Sequence, residues 1–569
     1  MSRALASMGM LLAGLATAGA GELRLELTPT IHCMGIRITG VPDEIAGAKV
    51  QFRTQGEEAW TEALPLVVAL GNKFADTGDG DETQAAWADA APIIRRLHGS
   101  LFWLEPETAY EVQATLADAA GAVKGTLSAT AKTLPDKVAY GTGRTLKVGG
   151  DGPLKTIAAA LKQAKPGDTV LVSPGVYKES VWLPQWPSGE PGNPITLRGE
   201  KGAILDGDGV AKTADVHGGI IVRDAHDLII EGFLVKRFGY CMFINGCQRA
   251  VVQKNYIDLT ESEKSAPYGI RMKRCRDCLL QLNVAREPRL GEHHYARYPF
   301  SIDGGHRNVI RYNQMLGGAC HDIITTRNNA DTDIYENVFR GTSNDDGVEL
   351  EGGTCINLRF FNNLLDAHDG DKGTVSVTPV TVGPIYVVRN VFLCSQQAVK
   401  FANDGTTNAL KAGHRLCDFA PLLFYHNVFF DPKNQFFRFL GCHGRPILAN
   451  NIITGKPLPD VTKNLNADRA TGQFARVEAD YNLYWDGGKT TKSPTPGLDE
   501  HSLFADPLFP DAAKGDFALR PGSPAIDRAL RLPNINDHFA GAGPDIGPFE
   551  AGSPWTGRTL NEPLKDDPR

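Results

Sequence analysis

Two hydrophobic patterns divide the chain. Residues 22–136 alternate apolar and polar positions with a period of two, as in Leu23, Leu25 and Leu27. Such alternation is typical of half-buried strands. From residue 149 the pattern changes. An amphipathic segment with Ile157 and Leu161 on one side predicts a short helix, and apolar runs spaced by glycines predict strands after it. The pattern predicts an all-β protein built in two parts.

An asparagine recurs inside the apolar runs of the second part, at intervals of 24 to 37 residues. The positions are Asn255, Asn283, Asn313, Asn337, Asn363, Asn390, Asn427, Asn451 and Asn482. This period is too short for a repeat of paired helices, and it suits one turn of a parallel β-helix. Stacked asparagines can hydrogen-bond from turn to turn at each bend. The short helix would cover the open first end.

The N-terminal residues predict the location of the protein, and the net charge bears on its partners. Residues 1–20 have Arg3, an apolar run from Met8 to Leu15 and a small-residue site at Ala18-Gly-Ala20, which predicts a signal peptide. We therefore expect a secreted, periplasmic or cell-surface protein with a polar tail at 554–569. No other segment is long enough to predict a membrane span. The net charge of -7 gives no support to a nucleic-acid partner, and we expect a monomer.

The first part resembles a known module. Its late strands read Leu104-Glu-Pro106-Glu-Thr-Ala-Tyr110 and then Lys132-Thr-Leu-Pro135. This sequence is similar to that of a fibronectin type III domain, and the similarity implies a small β-sandwich over residues 22–136. Fold alone gives no function here.

The second part resembles the right-handed parallel β-helix proteins of the pectate-lyase-like superfamily. The similarity rests on Pro166-Gly-Asp168-Thr-Val after the short helix, on the asparagine-containing turns, and on Gly522-Ser-Pro-Ala-Ile-Asp527 in the tail. It covers residues 149–553 and implies a carbohydrate-active protein.

Four acidic side chains crowd one stretch of the β-helix: Asp322, Asp345, Asp346 and Glu349. Like charges this close cost stability unless a cation or a shared proton offsets them. Asp322 and Asp346 each lie nine residues after a ladder asparagine, so they should stack about 4.8 Å apart on adjacent turns. Clustered carboxylate oxygens are the ligands that Ca²⁺ prefers. The absence of cysteine or paired histidine among them argues against zinc.

Two lysines follow the acidic stretch at a similar phase. Lys372 lies nine residues after its ladder asparagine, and Lys400 lies ten after the next one. A lysine beside a bound cation has its pKa lowered and can act as a general base. The residues alone do not decide which of the two lysines is the general base.

The constellation resembles one class of β-helix pectate lyase, the calcium-dependent type with a catalytic lysine. Asn344-Asp345-Asp346-Gly-Val-Glu349 would be its calcium loop and Ala398-Val-Lys400-Phe its lysine strand. The resemblance implies a calcium site of four ligands: Asp322, Asp345, Asp346 and Glu349. Two departures matter. Glu349 replaces an aspartate, and the lysine strand lies 51 residues beyond it. The base is therefore either Lys400, which matches the motif, or Lys372, which lies as far from its ladder asparagine as the aspartates do from theirs.

The reaction that the resemblance implies is β-elimination on a uronic-acid polymer, or a related epimerisation. The cations neutralise the substrate carboxylate and the lysine removes the α-proton. Arginines bind carboxylates through two hydrogen bonds, so Arg327, Arg359 and Arg389 are candidates to hold substrate or transition state. The basic and aromatic stretch 286–311 is a candidate wall of the binding cleft. The further substrate-binding candidates are His293, His294, Tyr295, Arg297 and His321.

Two other functions fit the same residues. A glycoside hydrolase could use two of the clustered carboxylates as acid and base or nucleophile. A non-catalytic carbohydrate-binding or surface protein could use them only to stiffen a turn around calcium.

Overall fold

A computed structural model gives the fold, and it describes these residues: 22–71, 94–212, 217–259, 268–286, 298–343, 345–351, 355–368, 370–377, 382–401, 420–439, 445–455, 477–492 and 498–552. The predicted signal peptide and the predicted polar tail lie outside them. No helix of the described residues is long and apolar enough to cross a membrane.

The first part is a set of seven antiparallel strands in the order β1-β2-β5-β4-β3-β6-β7. Their bounds are β1 Arg24–Pro29, β2 Met34–Thr39, β3 Ile45–Thr54, β4 Thr61–Gly71, β5 Ile94–Leu101, β6 Ala109–Asp118 and β7 Val123–Lys132. Strand β6 buries every second residue, from Tyr110 to Leu116, which confirms the predicted period of two. The resemblance to fibronectin type III stays a prediction.

The second part is a β-solenoid of about ten turns, which confirms the predicted parallel β-helix. Helix α1 (Ile157–Leu161) lies near its start, and the Thr156 side chain accepts a hydrogen bond from the Ala159 N–H as its N-cap. Strand β8 (Thr145–Val148) already pairs in parallel with β9 (Thr169–Val172). The solenoid therefore begins before residue 149, the start that the sequence predicted.

The solenoid strands form three parallel faces. Face 1 contains β11 Val181–Trp182, β14 Gly218–Arg223, β17 Tyr240–Asn245, β20 Tyr268–Arg276, β23 Tyr298–His306, β26 Ile324–Ala330, β29 Val348–Glu351, β32 Gly373–Val377, β35 Gln397–Phe401 and β38 Gln435–Phe439. Face 2 contains β8, β9, β12 Ile195–Gly199, β15 His226–Glu231, β18 Gln248–Gln253, β21 Leu279–Gln281, β24 Val309–Arg311, β27 Asp333–Tyr335, β30 Leu358–Phe361, β33 Ile385–Val388, β36 Pro421–Tyr425, β39 Arg445–Ala449 and β41 Glu478–Asp480. Face 3 contains β10 Gly175–Tyr177, β13 Ala203–Asp206, β16 Leu234–Lys236, β19 Tyr256–Asp258, β22 Val284–Arg286, β25 Gln314–Cys320, β28 Val338–Ser343, β31 Leu364–Asp366, β34 Val391–Leu393, β37 Val428–Phe430, β40 Ile452–Thr454, β42 Leu483–Trp485 and β43 Leu503–Phe504.

The asparagine ladder is confirmed over all nine positions. At each step the backbone N–H and the Nδ2 group of one asparagine donate to the Oδ1 atom of the next, as Asn337 does to Asn363 at 3.1 and 2.9 Å. The residue before each rung has a left-handed φ, for example +51° at Glu336 and +57° at His426. This bend turns the chain from face 2 to face 3 and orients the asparagine inward. The ladder thus provides hydrogen-bond partners for the buried asparagine amides at the bend between faces 2 and 3.

The sandwich packs on face 2. Arg37 donates to Asp331 at 3.1 Å, and Arg359 donates to Ser100 Oγ at 3.1 Å. Phe102 of the sandwich contacts the Tyr386 ring with 5.1 Å between centroids. Because these polar contacts are buried and paired, they fix the sandwich on the solenoid more strongly than a flexible tether would.

The C-terminal segment packs on face 3. Phe517, Leu519 and Ile546 lie in one buried apolar cluster with Val391 and Ile452 of that face. A short 3₁₀ helix at Ala512–Lys514 belongs to the same segment. The sandwich thus covers face 2 and the C-terminal segment covers face 3. The acidic residues singled out from the sequence lie at face 1.

We expect Asn363→Ala to lower the free energy of unfolding by about 2–4 kcal/mol, because it leaves the buried Asn337 N–H without its acceptor and removes one of the three acceptors of the Asn337 Nδ2 group. Asn363 is 2% exposed, and its own Nδ2 also donates to the Ile334 carbonyl. The measurement is urea unfolding followed by circular dichroism. Asn434, which is exposed, is the matched control, and Asn434→Ala should change the stability by less than about 0.5 kcal/mol. Equal losses for both variants would contradict the structural role of the ladder.

Candidate active site

A register column on face 1 organises the site. Thr325, Glu349, Ser376 and Lys400 occupy equivalent positions on four successive turns. The residue before each of them, such as Val399, is buried in the solenoid core. Alternation along the strand therefore directs the four polar side chains away from the core. One face thus gathers polar groups that lie 24 to 27 residues apart in sequence.

The two buried aspartates stack as the sequence predicted. Asp322 Oδ1 accepts a hydrogen bond from the Asp346 N–H at 3.2 Å, and Asp346 Oδ1 accepts one from the Gly373 N–H at 3.0 Å. Neither aspartate is exposed. Each carboxylate thus uses one oxygen to hold the next turn and keeps its Oδ2 atom for other partners.

The two lysines reach these carboxylates from different positions. Lys372 aligns with Asp345, one residue away from the predicted column, because ten residues instead of nine lead from the ladder asparagine Asn363 to Gly373, the partner of Asp346. Its Nζ atom lies 2.6 Å from Asp345 Oδ1. Lys400 starts three residues beyond the column, level with Ser376. The placement of both lysines by phase was therefore wrong, although both meet the acids.

Lys400 crosses two turns to make its contacts. Its Nζ atom forms an ion pair with Asp346 Oδ2 and lies 3.2 Å from Asp345 Oδ1. Gly373 makes room for it, since a Cβ atom there would lie 2.8 Å from both the Lys400 Cβ atom and Asp346 Oδ1. Only a glycine at this position lets the lysine side chain pass.

His321 joins the same group. Its Nδ1 atom lies 3.0 Å from Asp322 Oδ2, and its Nε2 atom lies 3.4 Å from Asp345 Oδ2. The hydrogen bond to Asp322 raises the pKa of His321 against the effect of burial, and the charge of Asp345 adds to it. The sequence placed His321 among substrate-binding residues, whereas here it bridges two carboxylates.

These residues form what we call the acid–lysine cluster: His321, Asp322, Asp345, Asp346, Lys372 and Lys400. Its inner part is buried, with the Lys400 side chain only 7% exposed. Its rim is open, with Asp345 at 21% and Lys372 at 45%. A ligand can therefore touch the rim first, while the inner groups set the charge.

Burial and charge act against each other in the cluster. Burial raises the pKa of Asp346 to about 6, although Lys400 opposes the rise. For Asp345, burial is outweighed by Lys372 and Lys400, which lower its pKa. Burial alone would lower the pKa of Lys400, but Asp346 and Asp345 raise it. Above about pH 6 the inner pair is thus a carboxylate and an ammonium.

The donor set fits a hard cation. His321, Asp322 and Asp345 each offer a ligand atom, and these atoms lie within 4.8 Å of one another. The Oδ2 atoms of Asp322 and Asp346 face the His321 ring nitrogen and the Lys400 ammonium group, so these two side chains occupy the places where a cation would bind. Carboxylate oxygens suit Ca²⁺, and the histidine nitrogen widens the choice toward transition metals.

Glu349 and Arg327 lie beside the cluster on face 1. Glu349 is level with Thr325 and Ser376 and is 8% exposed. Its charge and that of Asp322 raise the pKa of Tyr298, as burial does more strongly, and Arg327 opposes them. All four side chains therefore share one electrostatic environment. Glu349 is not part of the close ligand group, so its place as a metal ligand stays a prediction.

Two arginine predictions were wrong. Arg359 is fully buried and forms an ion pair with Asp333 under the sandwich, so it cannot bind a substrate. Arg389 holds the C-terminal segment through the carbonyls of Pro548 and Ile535, at 3.0 and 3.2 Å. The predicted residues His293, His294, Tyr295 and Arg297 lie outside the described residues.

A stack of aromatic rings next to the cluster was missed. Tyr240, Tyr268 and Tyr298 stack with 4.9 and 4.8 Å between centroids, and Tyr298 is 5.2 Å from the His321 ring. We call the three tyrosines the tyrosine ladder. Their spacings of 28 and 30 residues equal those of Asn255, Asn283 and Asn313, so the signal was present in the sequence.

Comparison with known proteins gives distant similarities. No protein-family model matches the chain. The uncharacterized protein YwoF of Bacillus subtilis (strain 168) is 23% identical over 432 residues, which is 66% of this chain and 88% of that protein. No family assignment follows from this identity.

Solved structures with a similar arrangement are also distant. A family 28 exopolygalacturonase of Yersinia enterocolitica is 13% identical, covers 82% of this chain and 91% of its own, and has a TM-score of 0.26. An alginate lyase of Paenibacillus sp. str. FPU-7 is 14% identical, with 53% and 99% covered and a TM-score of 0.30. A mannuronic-acid-specific family 6 polysaccharide lyase from human gut microbiota is 13% identical, with 62% and 88% covered and a TM-score of 0.34. At these TM-scores the likeness carries no argument about the reaction of this chain.

We expect Lys400→Met to destabilise the fold by about 3–5 kcal/mol at pH 8, because it leaves the Asp346 carboxylate buried without its partner. The pKa of Asp346 is already raised to about 6, and the loss of Lys400 raises it further. A raised folded pKa lowers the stability progressively as the pH rises from the unfolded pKa of an aspartate, about 3.9, to the folded pKa, and above the folded pKa the penalty is constant. The loss relative to wild type should therefore be clearly smaller at pH 5 than at pH 8.

Urea unfolding at both pH values measures this difference. The control is Lys178→Met, since the Lys178–Asp208 pair is 56% and 58% exposed and should contribute less than about 1 kcal/mol. An equal loss for Lys400→Met at pH 5 and pH 8 would show that Asp346 is not the group left unpaired.

Proposed function

We propose that the protein is a carbohydrate-active enzyme that cleaves an acidic polysaccharide by β-elimination, or catalyses the related epimerisation. The observation that carries the proposal is the position of Lys400, an almost buried lysine that contacts two carboxylates beside an open rim. A carbon acid next to a carboxylate needs a base and positive charge at the same place. The acid–lysine cluster brings both together.

Lys400 is the stronger candidate for the base. Burial is the largest influence on its pKa and lowers it, whereas the two aspartates raise it. If those aspartates share their charge with another cation, the effect of burial remains and the lysine loses its proton more easily. Among the described residues Lys372 forms its ion pair with Asp345, and it is largely exposed, so we assign it to the carboxylate of the substrate.

The proposed cation is Ca²⁺, held by Asp322, Asp345 and Asp346 with Glu349 beside them. When bound, it would neutralise the uronate carboxylate and so make the proton at C5 more acidic. His321 would give up its bridge between Asp322 and Asp345 when these carboxylates bind the cation.

The chain's own residues then account for the proton and charge. The Lys400 amine takes the C5 proton, the electron pair forms the C4–C5 double bond, and the bond from C4 to the leaving oxygen breaks. Arg327, on the same face, would stabilise the charge that builds on the substrate carboxylate. The leaving oxygen takes a proton from an acid at the rim or from water.

A second reaction is favoured by one specific observation. The adjacent carboxyls Asp345 and Asp346 have pKa values pushed in opposite directions, lowered for the first and raised to about 6 for the second. Such a split is what an acid and base pair of a glycoside hydrolase needs. Asp346 is fully buried, which weakens this alternative because the acid must reach the glycosidic oxygen.

A screen of acidic polysaccharides for ultraviolet-absorbing product tests the proposal. We expect absorbance to develop with the wild type, to vanish after treatment with a chelator and to return with added Ca²⁺. Lys400→Ala should lower kcat by about 10²–10⁴, the usual contribution of a general base. Lys178→Ala, on the exposed pair, should retain full activity.

Three results would contradict the proposal. Cleavage without ultraviolet-absorbing product would favour the hydrolase. Activity that resists the chelator would remove calcium from the chemistry. An unchanged kcat in a folded Lys400→Ala variant would exclude this lysine as the base.

A further inference from the structure

The tyrosine ladder differs from the phenylalanine stack in the solenoid core. Phe360, Phe392 and Phe429 stack inside the solenoid with at most 1% exposure. The ladder tyrosines are partly exposed on face 1. Packing of the core explains the phenylalanine stack, but it does not explain polar rings kept in register at the surface.

The ladder ends at the acid–lysine cluster. Tyr298 contacts the His321 ring, and the charges of Asp322 and Glu349 act on its hydroxyl. One turn earlier, the charges of Arg271 and Asp303 act on the Tyr268 hydroxyl. The hydroxyls of Tyr298 and Tyr268 therefore lie within electrostatic reach of the charged side chains of face 1.

A basic group accompanies the ladder. The Arg271 guanidinium lies 4.6 Å above the Tyr268 ring and donates to Asp303 Oδ2 at 2.7 Å. Stacking and the ion pair together fix its orientation. An oriented guanidinium beside a phenol hydroxyl presents donors that match the carboxylate and hydroxyl groups of a uronic acid.

We propose that the tyrosine ladder and Arg271 form the binding track for successive sugars of an acidic polysaccharide, on the N-terminal side of the acid–lysine cluster. This proposal rests on the proposed function and adds where the polymer lies. The rings repeat every 4.8–4.9 Å along the solenoid axis, a distance comparable to the length of one sugar unit. The chain of sugars would thus run parallel to the axis and reach the cluster at Tyr298.

Binding as a function of oligomer length tests the track without requiring turnover. The probes are galacturonate and mannuronate oligomers of increasing length, titrated calorimetrically into full-length protein. For whichever of the two oligomer series binds the wild type, the affinity should rise with the length of the oligomer. Tyr268→Phe keeps the ring and loses the hydroxyl, so it should weaken the binding of long oligomers about threefold to tenfold. Tyr268→Ala should weaken them more, and both should leave the shortest oligomer unchanged.

Tyr481 provides the matched control. It stacks on His501 with 4.8 Å between centroids, away from face 1, and Tyr481→Ala should bind every oligomer as the wild type does. Neutral oligomers of equal length should bind less tightly than acidic ones, and Arg271→Gln should reduce that difference.

The outcomes separate the two proposals. Length-dependent binding lost in the Tyr268 variants, without any ultraviolet-absorbing product, would support the track and contradict the elimination reaction. Ultraviolet-absorbing product from wild type, with unchanged binding of long oligomers by the Tyr268 variants, would overturn the track alone. Failure of every acidic oligomer to bind would overturn the track as well. An equal loss for short and long oligomers would assign Tyr268 to folding of the site and not to a track.

Discussion

One buried asparagine per turn holds each coil of the solenoid to the next. Its Oδ1 atom accepts two hydrogen bonds from the asparagine of the preceding turn, as Asn363 does from Asn337. This contact fixes the register at the bend, and it also fixes which residues meet on a face wherever the segment after the asparagine has the same length on two turns. Asp322 and Asp346, 24 residues apart, stack for this reason. The candidate chemistry therefore depends on a hydrogen-bond ladder on another side of the solenoid.

The register brings two buried carboxylates together in the acid–lysine cluster, and their charges must be compensated. Burial of two aspartates is costly, and the structure offsets the cost with Lys400, with His321 and with one backbone N–H for each carboxylate. In the proposed function the same groups make the cluster responsive, since a cation that binds the aspartates would release the lysine from them. Structural stabilisation and the proposed proton transfer thus use the same atoms.

Several parts of this arrangement could be predicted from the sequence. The asparagine spacing predicted the solenoid, and counting from it predicted that Asp322 and Asp346 stack. The count failed for Lys372 and Lys400, because the segment between the ladder asparagine and the column changes in length, with ten residues to Gly373 and seven to Gln397 instead of nine. Its effect on register cannot be read without the strand pairing. The role of Gly373 depends on the path of the Lys400 side chain, which no spacing shows.

The arginine predictions failed for a different reason. A charged residue beside a strand can face solvent, a partner domain or the site, and sequence does not say which. Arg359 is covered by the sandwich, whose docking face depends on contacts such as Arg37 with Asp331. The tyrosine ladder shows the opposite case. Its spacing matched that of the asparagines, but tyrosines in apolar strands are usually read as core.

Product mass tests the central claim most directly. Elimination only rearranges bonds, so the masses of the two fragments add up to the mass of the substrate, and no oxygen comes from water. Hydrolysis adds one water molecule. When an acidic oligosaccharide is cleaved in ¹⁸O-labelled water and the fragments are analysed by mass spectrometry, the account predicts one unsaturated fragment and no label incorporated by the cleavage. Fragments heavier by one labelled water would contradict it and assign Asp345 and Asp346 to hydrolysis.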